Sequence, residues 1–195
     1  DDVGARGLQL WVALPEHARR VPRAFEHVAD LPVLERPGVR TTVFIGEHDG
    51  AASTAHVHSP LLGAQLELDP GAVVDIPLRA DFEYAVQLID GAARVAGENL
   101  EQGPLLYLGT GRTSLTLEQL ATGATGTTRL LLLGGEPLRE DLLMWWNFVG
   151  RSHEDVVAAR ADWSDRERRE ARFGHVIGHG EELIPAPPMP NLRLT

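Results

Sequence analysis

The chain contains no cysteine and no lysine, and no apolar run in it approaches the length of a membrane span. Without thiols there is no disulfide, no cysteine-ligated zinc finger and no thiol catalysis. A membrane helix needs about 18 or more consecutive apolar residues, and no signal-peptide pattern opens the sequence, so a cytoplasmic protein with no membrane partner is expected. The missing lysine leaves arginine to carry all 18 positive charges, and with 20 glycines this points to a GC-rich bacterial coding bias more than to phosphate clamping. Against them stand 28 acidic residues and a net charge of −10, which repels phosphate backbones and anionic lipid. Direct nucleic-acid binding is not expected, although Arg166, Arg168, Arg169 and Arg172 form a local arginine patch.

What is present is enough for one good-sized domain or a domain with an appendage: 195 residues, 43% of them apolar. Residues 7–14, GLQLWVAL, read as a strong strand reached almost at once from Asp1. Residues 15–38 carry four prolines and mixed charges, which prevent a long regular element, so they read as a linker with a short helix near Ala24 to Ala29. From Val39 the pattern becomes period two or short apolar runs broken by turn residues, as an all-β sandwich or barrel requires. The candidate strands are VRTTVFIG, STAHVHS, LLGAQLEL, AVVDIPL, FEYAVQLI, PLLYLG, TSLTLEQL and TTRLLLLGG. Asp69-Pro70-Gly71 is a turn by composition, and Asp90-Gly91 reads as a type I′ hairpin between FEYAVQLI and ARV. The expected fold is all-β, a jelly-roll β-barrel with a C-terminal helix and an extended tail.

Toward the C-terminus the period changes. LLMWWNFVG, residues 142–150, reads as one last buried strand, in which the adjacent Trp145 and Trp146 point to opposite faces. One is expected to fill the barrel; the other needs cover from a helix, the tail or a further domain. Ser152 is the expected N-cap of that helix, with Asp155 standing in for the usual capping-box glutamate. Val156, Ala159 and Trp163 form its packing stripe. Beyond Trp163, DRERREARFGH reads as a solvated helical end, and the proline-rich GEELIPAPPMPNLRLT as extended, either docked or loose.

One stretch has the spacing of a metal site without its ligands. In GAVVDIPLRADFEYAVQLIDG, Gly71 is followed by Pro77, Arg79, Glu83 and Gly91. This resembles the cupin motif, in which a glycine precedes His-x-His, then a glutamate, then a glycine, and the histidines and glutamate hold a metal. An amide-bound proline nitrogen and a protonated guanidinium have no lone pair to give a cation. Glu83 is the one surviving ligand type. Facing a barrel interior it would need a partner, which Arg79, four residues earlier on the same face of the strand or bend, could supply as an internal salt bridge. The alternative places both residues at the rim, in water.

Two histidine pairs compete for attention. His56 and His58 in STAHVHS would share one face of a strand, with Cα atoms about 6.5–7 Å apart, which two imidazoles can close on a metal. The pair precedes Asp69-Pro70-Gly71 and so falls one strand too early for the cupin site. Two polar residues on a strand face is the preferred reading, with metal binding at His56 and His58 as the alternative. His175 and His179 have a helical ligand spacing, but glycines at 174, 178 and 180 argue against a helix. No nucleophile elbow and no glycine-rich phosphate loop is present.

Four segments in order, GLQLWVALP, SPLLGAQLELDPGA, LLLGGEPLRE and MWWNFVGRSHEDVVAARADW, resemble the pirin family of the cupin superfamily over nearly the whole chain. Pirins are two-cupin proteins whose N-terminal barrel binds iron or another divalent ion and whose second barrel has generally lost the site. The resemblance implies residues 1–14 as the last strand of an N-terminal cupin otherwise missing, 15–38 as a linker, 39–150 as the C-terminal cupin barrel, and 151–195 as helix and tail. It implies no catalytic, cofactor or metal residue in this chain, with the metal in the absent domain. The natural partner is that N-terminal cupin. For the intact protein it implies either a metal-dependent dioxygenase of flavonols such as quercetin, or a regulatory protein that binds other proteins without turnover.

Overall fold

A computed structural model of the chain describes residues 7–120, 126–175, 177–178, 180 and 182–194. It divides into two compact units: Phe25–Leu138, and the segment up to Ala24 together with everything from Arg139 onward. Among the described residues no helix is long and apolar enough to cross a membrane.

The first unit is built from β1 (Val33–Arg36), β2 (Val39–His48), β3 (Ala51–Ala52), β4 (Leu61–Leu68), β5 (Val73–Pro77), β6 (Glu83–Asp90), β7 (Ala93–Val95), β8 (Glu98–Asn99), β9 (Leu105–Gly109), β10 (Ser114–Gln119) and β11 (Thr128–Gly135). One sheet has the order β1-β2-β4-β11-β6-β9, with β3 paired to β2, and the other has β5-β10-β7-β8. Every pairing within these two sheets is antiparallel. Strand order departs from chain order because the chain crosses between sheets at its turns, which is the jelly-roll device for covering two apolar faces with each other.

The core follows from alternation. In β6, Tyr84, Val86 and Leu88 are buried while Glu83, Ala85 and Gln87 are not. Leu66, Leu68, Leu115, Leu117, Leu130 and Leu132 complete the interior between the sheets, and each such leucine stabilises the fold by about 1.5–3 kcal/mol. Gly71 takes a left-handed φ of 71° and closes the turn from β4 to β5, where Ala72 N–H donates to Asp69 O at 3.0 Å. Gly91 also has positive φ, and a Cβ there would lie 2.3 Å from Thr128 Oγ1. Asp90-Gly91 is not a hairpin, however: β6 pairs with β11 and β9, and β7 pairs with β10 and β8, so the turn carries the chain from one sheet to the other.

Other expectations are corrected. The linker contains β1, which pairs in register with β2 and ends one residue before Pro37. STAHVHS is not a strand but a loop between β3 and β4. Residues 24–29 form no helix.

His48 is the one buried histidine of the described residues, at the end of β2. Burial, then the nearby Arg36 charge, hold its pKa below the ordinary value. A folded-state pKa below the unfolded one, about 6.5, means the unfolded chain binds the proton first, so stability rises with pH through that window and is lost as pH falls. Urea unfolding between about pH 5 and pH 7 is expected to show this slope, and His48→Gln to flatten it. An unchanged slope in the variant would assign the pH dependence to other groups.

The second unit has a different construction. LLMWWNFVG is a hairpin, β12 (Leu143–Trp145) paired with β13 (Phe148–Gly150), not a single strand. Trp146 sits in the turn with φ 52°, so the two tryptophans do not alternate across a strand. Both rings pack on Phe148, at 6.4 and 5.1 Å between centroids, and Trp146 also meets Trp163 at 6.0 Å. Neither fills the barrel; they belong to a separate core with Val156, Ala159, Phe173 and tail residues Ala186 and Met189.

The helix α1 (His153–Ser164) starts where expected, Ser152 accepting from Asp155 N–H at 3.2 Å. The Asp155 carboxylate accepts its principal backbone hydrogen bond from Arg151 N–H at 2.9 Å, one residue before the cap, with a lesser one from Ser152 N–H, and pairs with Arg19. The backbone donor first, then Arg19, keep its pKa below the usual carboxylate range. Asp165 breaks the helical run and caps α2 (Arg166–Phe173), whose Phe173 packs against Trp163. The tail is docked within this unit: Trp163 Nε1 donates to Ile184 O at 2.9 Å, and Arg160 to Pro187 O at 2.6 Å.

Candidate functional site

The fold takes the degenerate motif apart. Pro77 ends β5 opposite Ser114 of β10, and its ring offers no donor or acceptor nitrogen. Arg79 lies in the following loop. Its guanidinium forms a two-pronged pair with Asp81 (Nε to Oδ1 3.1 Å, Nη2 to Oδ2 2.6 Å), reaches Glu136 at 3.7 Å, and lies 4.1 Å above the Phe82 ring. Hydrogen bonding from Arg79 holds the Asp81 carboxyl below its ordinary pKa. Arg79 N–H donates to the Tyr84 hydroxyl at 3.0 Å, and burial pushes the Tyr84 phenol up.

Glu83 occupies a different environment. It alternates with buried Tyr84 and so stands on the outer face of the sheet, where it accepts a 2.7 Å hydrogen bond from Tyr107 on neighbouring β9. That bond raises the Tyr107 pKa. The internal Arg79–Glu83 bridge is therefore not formed, and the alternative, with both residues in water, holds: the Arg79 side chain is 54% exposed and the Glu83–Tyr107 bond is exposed. Each residue has its own partner, and strand parity sends Tyr84, not Glu83, inward. Gly71 and Gly91 serve turns, Gly71 N–H donating to Gln119 at 2.7 Å. The five motif residues are not brought to one point.

Side chains around the motif belong to the core: Ile76, Phe82 and Tyr84 are each 2–3% exposed. The residues present do not fit a metal ion, since a ring nitrogen, a guanidinium and one outward carboxylate supply no convergent lone pairs. Beside Arg79 and Phe82 a cavity of about 260 Å³ opens at the mouth of the sheets, lined also by Glu47, Ser53, Val57 and Leu61.

His56 and His58 remain close although their segment is a loop. Their rings stand edge to face with centroids 4.7 Å apart, and His56 N–H donates to Glu26. Among the described residues no group of three or more His, Asp or Glu side chains is arranged to hold a metal. His175 is exposed; His179 lies outside the described residues.

In the second unit Leu10, Trp11, Val12, Leu142, Met144 and Val149 line a groove of about 680 Å³ together with Arg19, Arg151 and Arg172, and residues 7–14 form no strand. Arginines gather at and beside this groove. Arg19 pairs with Glu16 and Asp155, each at 2.9 Å, and Arg151 pairs with Glu140 at 2.7 Å and donates to Leu14 O. The sequence reading missed Arg19, Arg20 and Arg23; the run HARRVPRA was the available signal, hidden by its position in a proline-rich segment.

Two apposed antiparallel sheets, jelly-roll connectivity and a spaced motif with its ligands replaced define a cupin fold. A family model for the pirin C-terminal cupin domain matches residues 63–170. The chain is 38% identical over 190 residues to a Pseudomonas aeruginosa protein named "Putative quercetin 2,3-dioxygenase", covering 97% of this chain and 58% of that one. It is 31% identical over 185 residues to a pirin-like protein of Caulobacter vibrioides, covering 93% and 59%. A crystal structure of quercetin 2,3-dioxygenase from Acinetobacter baumannii superimposes with a TM-score of 0.82 at 36% identity, covering 93% of this chain and 58% of that one. This chain belongs to the pirin family. It spans less than two thirds of the length of each of these relatives.

Proposed function

We propose that this chain is the C-terminal, metal-free half of a two-cupin protein, and that it walls and supports a site held by an N-terminal cupin domain. The observation that carries the reading is the filled motif: Phe82 and Tyr84 are buried in the core, while Arg79 and Glu83 are each committed elsewhere. The match to the pirin C-terminal cupin domain supports it. So does the run at residues 8–12, which belongs to no strand and where Trp11 is 55% exposed; an upstream cupin sheet would pair its backbone and cover its side chains.

For the whole protein, the reading is dioxygenation of a flavonol such as quercetin, the activity in the names of the Pseudomonas and Acinetobacter relatives. Iron or another divalent ion in the N-terminal cupin would supply the oxygen chemistry. This chain's contribution is shape, exclusion of water and surface, not proton transfer or ligation.

The full-length protein, loaded with iron, is expected to consume O₂ when given quercetin, while this chain alone consumes none and carries no stoichiometric metal by elemental analysis. Inactivity of the iron-loaded full-length protein across a phenolic panel would discard the dioxygenase in favour of a regulatory, protein-binding role. About one tightly held iron or zinc per chain would promote His56 and His58 to ligands.

A further inference from the structure

We propose that the arginine groove of the second unit binds a small, multiply charged phosphate anion. The groove has a volume of about 530 Å³ and is lined by Arg19, Arg20, Arg23 and Arg172, with Asp155 as the one carboxylate among its described lining residues. Four arginines thus line one groove in a molecule whose net charge is −10. A concave wall concentrates that local positive field, and arginine keeps its charge at every accessible pH.

The groove is constructed, not merely rich in arginine. Arg19 forms an anchored floor, one amino group held by Glu16 and the other by Asp155, both at 2.9 Å; Asp155 is itself fixed by Arg151 N–H. Arg23 donates to Ala171 O at 3.3 Å, using a carbonyl that the end of α2 leaves without a helical donor. Gly174 makes room for it: a Cβ at that position would stand 2.6 Å from Arg23 Nε. Arg172 gives one amino group to Asp162 at 2.9 Å. Each of Arg23 and Arg172 has five N–H donors, so one such bond leaves most of them for a ligand. Among the described residues Arg20 has neither hydrogen bond nor ion pair, and it is exposed.

The ligand class follows from these groups. Guanidinium forks match the paired oxygens of phosphate, and a tetrahedral phosphate can share its oxygens among forks arriving from two chain segments. The volume lies in the range of small-molecule sites, about 300–1,000 Å³, and exceeds what one inorganic phosphate fills. Among its described lining residues none is aromatic, so a nucleobase or single-stranded nucleic acid finds no stacking platform among them. A short phosphate chain is the best match.

Inorganic tripolyphosphate titrated calorimetrically into the chain is expected to occupy one site, with affinity falling steeply between low and about 0.2 M salt. Arg20→Gln removes a group without a described partner and is expected to weaken binding several-fold with an unchanged melting temperature. Arg20→Gln with Arg23→Gln is expected to weaken it by about tenfold or more. Citrate and a short DNA duplex are the comparison ligands. No tripolyphosphate binding, or unchanged affinity in a natively folded double variant, would overturn the site. Equal binding of citrate would overturn the phosphate assignment, and equal or tighter binding of DNA the small-ligand one.

Discussion

Phe82→Ala is expected to lower the unfolding free energy of this chain by about 3–5 kcal/mol. Phe82 is 2% exposed and belongs to the core cluster between the two sheets. Its ring contacts Tyr84 at 6.0 Å between centroids and carries the Arg79 guanidinium at 4.1 Å. Truncation removes the buried ring, leaves a cavity that close-packed neighbours only partly fill, and deprives Arg79 of its platform. Phe82→Leu keeps much of the volume and is expected to cost well under half as much. Urea unfolding of both variants at one pH measures the difference. A loss below about 1 kcal/mol for the alanine variant would mean that the ring is not a principal support of the core.

Gly46→Ala is expected to cost about 3 kcal/mol or more, and to act through the backbone. Gly46 has φ 74°, and a Cβ there would stand 1.7 Å from Leu61 O and 2.7 Å from Leu61 C. No rotamer relieves a clash with main chain, so β2 would have to leave β4 at the Gly46–Leu62 pairing. Gly50 supplies the control: it has φ 85°, but a methyl added there would meet nothing within 4 Å, so Gly50→Ala carries only the left-handed penalty of about 1–2 kcal/mol. Thermal and urea unfolding of the pair separate the two effects. Equal losses would show that the close approach of Leu61 is not limiting.

Much of the first unit was legible because its strands are half-buried and alternate. LLGAQLEL, FEYAVQLI and TTRLLLLGG appear as β4, β6 and β11 within a residue or two of their expected ends. The candidate site was read less well, and for a definite reason. Motif spacing put Glu83 inside, whereas the alternation of FEYAVQLI already put Tyr84, Val86 and Leu88 there. Period two is enforced by burial of a whole strand face, and one polar residue cannot overrule it. LLMWWNFVG misled in the opposite way: nine mostly apolar residues look like one buried strand, and only the turn at Trp146 divides them. STAHVHS had the alternation of a strand but no partner to pair with.

The sequence by itself determined the class of fold, the turn at Gly71, the cap at Ser152 and the absence of metal donors at positions 77 and 79, since each depends on residues a few places apart. Tertiary structure alone decided that Glu83 meets Tyr107, that the tryptophans leave the barrel for a core of their own, and that Arg19 reaches Asp155 across 136 positions of chain. Such pairings depend on strand register and on how distant segments dock, which local period and propensity do not encode.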